Sequence, residues 1–270
     1  MPVHHGAPQG APIWIDLTTS NPDRAQDFYG AVFGWTFISA GPDYGGYVDI
    51  AKDGHRVAGM MRNDPDWQMR DSWAIYLNTA DIAGTVDKVA DAGGVTCVQP
   101  MQVPGRGSMA LAADPSGALI GMWQPAGHDG FEVVGEPGVP VWHQLTTTDY
   151  RAALVFYREV FGWETRTVSD TDEFRYSTAV FTSDPRVAAL LPAGGEELLG
   201  VMDGAGMLPE GATSKWVTFF GADDVDTTLA VITDHGGSVV RGAEETPYGR
   251  LAAAADPTGA LFNLSSLPAA

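Results

Sequence analysis

The chain reads the same way twice. Residues 10 to 35 run GAPIWIDLTTSNPDRAQDFYGAVFGW and residues 138 to 163 run GVPVWHQLTTTDYRAALVFYREVFGW. Trp14 aligns with Trp142, Leu17 with Leu145, Phe28 with Phe156, Tyr29 with Tyr157 and Trp35 with Trp163, all at an offset of 128 residues. Later blocks repeat as well. Trp73, Asp81 and Gly93-Gly94 match Trp216, Asp224 and Gly236-Gly237, and Asp114-Pro115-Ser116-Gly117-Ala118-Leu119 matches Asp256-Pro257-Thr258-Gly259-Ala260-Leu261. A tandem duplication restricts the fold to architectures that use one unit twice. The expected division is 1–124, a glycine- and proline-bearing linker over 125–138, and 139–270. At 270 residues and 44% hydrophobic, the chain has enough apolar mass for two cored domains.

Within each half the periodicity repeats again. Ile13, Ile15 and Leu17 alternate with Trp14, Asp16 and Thr18, which predicts a half-buried strand. Ser20-Asn21-Pro22 supplies a cap and a first-turn proline. Ala25, Phe28, Tyr29, Val32 and Phe33 then follow at helical spacing until Gly34. Short strands are expected around 35–40, 45–51 and 56–61. A second strand–helix unit starts at Trp73, its helix running from near Asp81 to Gly93-Gly94, with strands around 95–100, 108–113 and 118–123. Each half is therefore βαβββ twice over, and the chain holds four such modules.

The openings LTTSNPDRAQDFYGAVFGW and LTTTDYRAALVFYREVFGW, with the closings DPSGALIGMWQ and DPTGALFNLSS, resemble those of the vicinal oxygen chelate superfamily. These are the glyoxalase, bleomycin-resistance and extradiol dioxygenase proteins. The resemblance covers essentially the whole chain, and the four-module form with FGW after the first helix is similar to an actinobacterial glyoxalase-like subgroup. It implies an α+β fold in which paired βαβββ modules cup a mixed sheet around a cavity, with helices outside. In metal-dependent members it also implies a His on the first strand, a His or Gln on the fifth, and carboxylates near the ends of the fourth and eighth. The metal there chelates two vicinal substrate oxygens and acts as a Lewis acid.

Carried onto this chain, those positions hold no such ligands. They fall on Trp14 and Trp142, near Ala74 and Val217, near Ala58–Gly59 and Ala188–Ala189, and on Gly121 and Asn263. The six histidines are also scattered: His4 and His5 at the N-terminus, His55 in a turn, His128 in the linker, His235 at a helix end and His143 on a strand. A transition-metal site needs convergent ligands of fixed geometry. The expectation is a protein with no metal and no cofactor, a His4–His5 site being the weak exception.

Strand parity then indicates what lines the cavities. Trp14, Asp16 and Thr18 share one face in the first half, and Trp142, Gln144 and Thr146 in the second, with His143 turned away. Gly121 and Trp123, and likewise Asn263 and Ser265, share the cavity side of the closing strands. Tyr76 is a candidate hydrogen-bond donor, and Arg106 and Arg250 are candidates to reach a ligand oxygen. Asp16 beside Trp14 in an apolar cavity is the candidate general acid or base. Its counterpart Gln144 does not titrate. His143 is a second candidate base if the register is shifted by one.

The partner implied by these faces is a hydrophobic or aromatic small molecule, such as a secondary metabolite. The function read from the residues is metal-independent binding with acid–base transformation of the isomerase, cyclase or hydrolase kind. Whether the protein is an enzyme stays open. The alternatives are a metal-dependent lyase or dioxygenase and a drug-sequestering protein without catalysis. A net charge of −19 argues against nucleic acid or an anionic membrane surface as partner. One cysteine, Cys97, excludes an intrachain disulfide framework. With no long apolar run and no signal-peptide pattern at the N-terminus, the expected location is the cytoplasm, as a monomer or homodimer.

Overall fold

A computed structural model describes residues 6–182, 195–209 and 211–266. Among these residues, the first half forms β1 (Pro12–Thr19), α1 (Pro22–Phe33), β2 (Thr36–Ser39), β3 (Val48–Lys52), β4 (His55–Arg62), β5 (Ser72–Asn78), α2 (Ile82–Asp91), β6 (Val95–Val103), β7 (Gly107–Ala113) and β8 (Leu119–Pro125). The second half forms β9 (Pro140–Thr147), α3 (Tyr150–Phe161), β10 (Glu164–Asp170), β11 (Arg175–Phe181), β12 (Glu196–Asp203), β13 (Lys215–Ala222), α4 (Val225–Asp234), β14 (Ser238–Thr246), β15 (Gly249–Ala255) and β16 (Leu261–Ser266). The fold is α+β: each half is one eight-stranded mixed sheet, ordered β2-β3-β4-β1-β5-β8-β7-β6 and β10-β11-β12-β9-β13-β16-β15-β14. None of the described helices is long and apolar enough to cross a membrane.

The sheet order follows from the module. β1 runs parallel to β4 and antiparallel to β5, and β5 runs parallel to β8, so two βαβββ units meet at the β1–β5 pair. α1 begins where the Asn21 side chain accepts from Arg24 N, with Pro22 in its first turn. It ends where Gly34 adopts φ 69°, a left-handed conformation that glycine adopts without steric cost. β1 departs from the expected half-buried pattern: seven of its eight residues are buried. One face packs on apolar neighbours, and the other lies beneath a cavity roofed by other segments.

The repeated motifs mostly join the halves. Trp35 of the first FGW donates through Nε1 to Gly138 O at 2.6 Å, and Trp163 of the second donates to Gly10 O at 2.8 Å. Tyr29 Oη donates to Asp256 Oδ2 at 3.1 Å, and Tyr157 Oη to Asp114 Oδ2 at 3.3 Å. Each Asp also caps its own DPxG turn through Oδ1: Asp114 takes Ser116 N and Ala118 N, and Asp256 takes Thr258 N and Ala260 N. Between these reciprocal bonds, Phe33, Trp35 and Trp73 meet Phe220 at ring-centroid distances of 5.1 to 5.4 Å. The halves therefore share one aromatic core.

The linker is docked on the first sheet. Arg56 donates from N to Glu132 Oε2 at 2.7 Å, and from Nε and its guanidinium NH2 to Oε1 at 2.9 and 2.7 Å. Phe131 N donates to Ile13 O at 3.0 Å. Gly130, at φ 95°, presses so close to Ile13 O that a Cβ there would overlap it. This docking sets His128 against Trp14.

Candidate functional site

The concave side of the first sheet holds a cavity of about 370 Å³, within the range that accepts a drug-sized ligand. β1 supplies Trp14 and Asp16, β5 supplies Tyr76 and β8 supplies Trp123. Strand pairing explains the convergence, because Trp14 lies opposite Tyr76, and Tyr76 opposite Gly121. Gly121 contributes space rather than contact, since any Cβ at that position would enter the Tyr76 ring. Tyr44 and Tyr47, Met61, and Met101, Arg106 and Met109 of the β6–β7 hairpin complete a wall that is mostly aromatic and thioether.

Asp16 is the buried carboxylate of this cavity. Its Oδ1 accepts from Tyr47 Oη at 2.5 Å and from Trp14 Nε1 at 3.0 Å. Burial pushes its pKa up to about 6. Hydrogen bonds from Tyr47, Trp14 and Tyr76 oppose the rise, and Asp49 adds to it. Burial, with Asp16 beside them, pushes the Tyr47 and Tyr76 hydroxyls well above their ordinary value, so both remain donors. Gly59 lies opposite Asp16 on β4, and a Cβ there would overlap both the Asp16 carboxylate and the Tyr47 hydroxyl.

Arg106 forms part of the wall but does not offer a free guanidinium. It makes a two-pronged bond to Asp49, NH1 to Oδ1 at 2.6 Å and NH2 to Oδ2 at 2.7 Å. Its guanidinium also lies 4.6 Å from the centroid of the Tyr44 ring and 5.6 Å from that of Tyr47. It braces the aromatic wall by cation–π contact. Tyr44 Oη donates to Pro104 O at 2.9 Å, tying the segment before β3 to the hairpin across the cavity.

The structure thus brings together Trp14, Asp16, Tyr76, Arg106, Gly121 and Trp123, and places the other candidates elsewhere. His143 lies in a separate crevice of about 160 Å³ beside the linker. Its Nδ1 is 3.1 Å from Thr218 Oγ1, its ring stacks on Phe131, and burial pushes its pKa down to about 3. Arg250 is held at the surface by Asp226, at 2.7 and 3.0 Å, and by Glu245 at 3.0 Å; it lines neither cavity. In the second half Trp142 Nε1 donates to Tyr176 Oη at 3.0 Å, as Trp14 Nε1 donates to Tyr47 Oη at 2.9 Å in the first. There Gln144 turns to Thr146 and Met202, and Asn263 lies opposite Phe219.

Parity along single strands does not reveal Tyr44, Tyr47, Asp49, the methionines or His128. Tyr47 carried one usable signal: Tyr176 recurs 129 residues later, beyond the same FGW motif. The fourth-strand position of the second half also needs correction. Gly200, not Ala188–Ala189, lies opposite Gln144. Ala188–Ala189 fall outside the described residues, and the 128-residue offset fails at this strand because the second half carries additional residues before β12.

The family model for the Glyoxalase/Bleomycin resistance protein/Dioxygenase superfamily matches residues 12–122 and 128–264, and the chain belongs to that superfamily. It is 32% identical to the anthracycline biosynthesis protein DauV of Streptomyces sp. strain C5, over 96% of this chain and 94% of that protein. It is 31% identical to CFP32 of Mycobacterium tuberculosis, which carries the name glyoxylase, over 98% and 97%. A Mn(II)-bound glyoxalase from Novosphingobium aromaticivorans shares the fold at TM-score 0.64 and 14% identity, covering 97% of this chain and 83% of that one. The 2,3-dioxygenase LapB of Pseudomonas sp. KL28 does so at 0.64 and 15%, covering 96% and 93%.

Metal-dependent members of the superfamily imply a metal, and the residues of this cavity do not fit one. Asp16 is the carboxylate at the strand centre, and it is already engaged by N–H and O–H donors. The neighbouring positions are Gly59 and Gly121, whose space is taken by the Tyr47 hydroxyl and the Tyr76 ring. Asp49 is committed to Arg106. Among the described residues no group of three or more His, Cys, Asp or Glu is arranged to hold a metal ion. His4 and His5 fall outside the described residues.

Proposed function

We propose that the first-half cavity binds a planar, largely apolar small molecule and that Asp16 transfers a proton to or from it without a metal. The observation that carries this reading is a buried carboxylate with a pKa of about 6 on the wall of an aromatic cavity. A group poised near neutral pH both takes and returns a proton. The lining of Trp14, Tyr44, Tyr47, Tyr76 and Trp123 suits stacking on a flat ring system. A similar protein's part in anthracycline biosynthesis supports an aromatic secondary metabolite as the ligand class. Proton transfer of this kind serves isomerisation and cyclisation.

The second half keeps the aromatic frame but carries Gln144 in place of Asp16, which supports a division into one reactive half and one that only binds or buttresses. On this reading 1–124 is the reactive domain, 125–138 the docked linker and 139–270 its partner. A single exposed cysteine, Cys97, fits a cytoplasmic setting.

Native mass spectrometry on protein from its own host would identify the carried ligand. Asp16→Asn would then separate the readings: retained affinity with lost turnover supports the enzyme, and affinity with no turnover in either form leaves a sequestering protein. Stoichiometric zinc, nickel, manganese or iron surviving dialysis would overturn the metal-free mechanism.

A further inference from the structure

His128 is buried in the linker, 3% exposed, and lines the same cavity as Asp16. Gly130 N donates to its Nδ1 at 3.1 Å. Nδ1 is therefore the acceptor, and the uncharged ring carries its hydrogen on Nε2. Nε2 is buried and has no hydrogen-bond partner among the described residues. The ring is held in place from several sides. Trp123 Nε1 donates to the His128 carbonyl at 2.9 Å, and His128 N donates to Arg106 O at 3.0 Å. The Trp14 indole stands at 81° to the imidazole, with centroids 4.4 Å apart.

Buried donors are almost always paired, so an unpaired N–H on a fixed side chain that lines a cavity calls for an explanation. We propose that His128 Nε2–H is the donor that recognises a ligand oxygen, and that the ligand class is an aromatic ketone with an acidic C–H beside its carbonyl. The recognition stands on the His128 geometry alone, whereas the acidic C–H rests on the proposed role of Asp16.

The step balances without an oxidant or a reductant. The Asp16 carboxylate takes the α-proton, the C–H electron pair becomes the C=C bond, and the carbonyl π pair moves onto oxygen. That oxygen is held by Nε2–H, which keeps its proton. Asp16 returns the proton to the same carbon or to another one, restoring the ketone. Burial, with Arg56 and Arg106 nearby, pushes the His128 pKa down to about 4, so the ring is neutral near pH 7. A neutral imidazole N–H stabilises a developing oxyanion without protonating it.

The test uses the full chain with 1-tetralone, a bicyclic aromatic ketone, and tetralin, which lacks the oxygen. ¹⁵N NMR of the free protein should show the Nε2–H tautomer of His128. Its Nε2 proton should move downfield with 1-tetralone and stay in place with tetralin. His128→Phe should weaken 1-tetralone binding about tenfold and tetralin less than about twofold, and His128→Gln, which retains an N–H, should recover most of the loss. An Nδ1–H or charged ring, or equal losses for both probes, would overturn the proposal. Deuterium exchange at the 1-tetralone α-carbon, lost in Asp16→Asn, reads the base separately. Tetralone recognition without exchange removes the role of Asp16 and the acidic C–H but keeps the His128 donor. Exchange that is indifferent to His128→Phe does the reverse. If neither probe binds at millimolar concentration, the aromatic-cavity reading fails and takes this proposal with it.

Discussion

Tyr47 Oη donates to Asp16 Oδ1 at 2.5 Å, and Gly59 on the adjoining strand provides the space that both groups occupy. Gly59→Ala places a methyl group where these two side chains meet. Overpacking of this kind costs about 1–3 kcal/mol. Urea denaturation should show that loss, and the tryptophan emission of the folded variant should change as Tyr47 is forced off Asp16 and Trp14. An unchanged midpoint with native emission would show that the site tolerates a side chain.

Asp16 also sets a pH dependence of stability. Its folded pKa of about 6 lies above the unfolded value of 3.8, so the native state holds the proton more tightly. The stability this provides is complete below about pH 4, declines as pH rises and is gone above about pH 6. Its size is on the order of 3 kcal/mol. Asp16→Asn should abolish this dependence. Unfolding free energies at pH 4.5 and 7.5 should therefore differ less in the variant than in the parent, and parallel pH profiles would refute the assignment.

Turnover, where a substrate is found, should rise with pH through about 6 if the Asp16 carboxylate is the base. Asp16→Asn should lower kcat by about 10²- to 10⁴-fold and remove that limb of the profile. A limb that survives the substitution would belong to another group.

Arg106 and Asp49 are nearly buried together, with side-chain exposures of 16% and 11%. Arg106→Met alone leaves Asp49 without its counter-ion and should cost about 3–5 kcal/mol. Adding Asp49→Asn should recover much of that loss. A double-mutant cycle read by denaturation tests this, and additive losses would mean that the pair is not coupled.

Tyr29→Phe removes one hydroxyl but strands two groups: Asp256 loses a donor, and Trp73 Nε1, which donates to Tyr29 Oη at 3.0 Å, loses its acceptor. Tyr157→Phe does the same to Asp114 and Trp216. Each should cost about 1–3 kcal/mol. Either half expressed alone should precipitate or pair with a second copy, because Phe33, Trp35, Trp73, Phe220 and Phe262 would lose their cover. A soluble, monomeric, cooperatively folding half would contradict the shared core.

The modules were legible in the sequence because helix and strand periods are local; alternation along two strands put Trp14, Asp16, Gly121 and Trp123 on cavity faces, and Tyr76 was named only as a donor on a third. Tyr47, Asp49 and His128 did not. Tyr47 and His128 reach the cavity from the segment preceding β3 and from a folded-back linker, Asp49 stands on β3 behind the Arg106 wall, and their partners are 31, two and 57 residues away. Arg250 misled for the opposite reason: an arginine beside a turn resembles a ligand anchor, but it stands at the start of β15, held by Asp226 and Glu245. The repeated FGW and DPxG motifs marked the duplication in the sequence, and their tryptophans and aspartates prove to bond across to the other copy.

That exchange has a consequence for how such a protein changes over time. In an assembly of two identical chains, a substitution on the first strand appears in both sites at once. Here each half completes the other through Trp35–Gly138 and Trp163–Gly10, while the two first strands are encoded separately. The interface holds both copies to one shape and leaves their concave faces free to drift apart. One face carries an ionisable Asp16 and the other a neutral Gln144, a broken symmetry that no homodimer of a single half could encode.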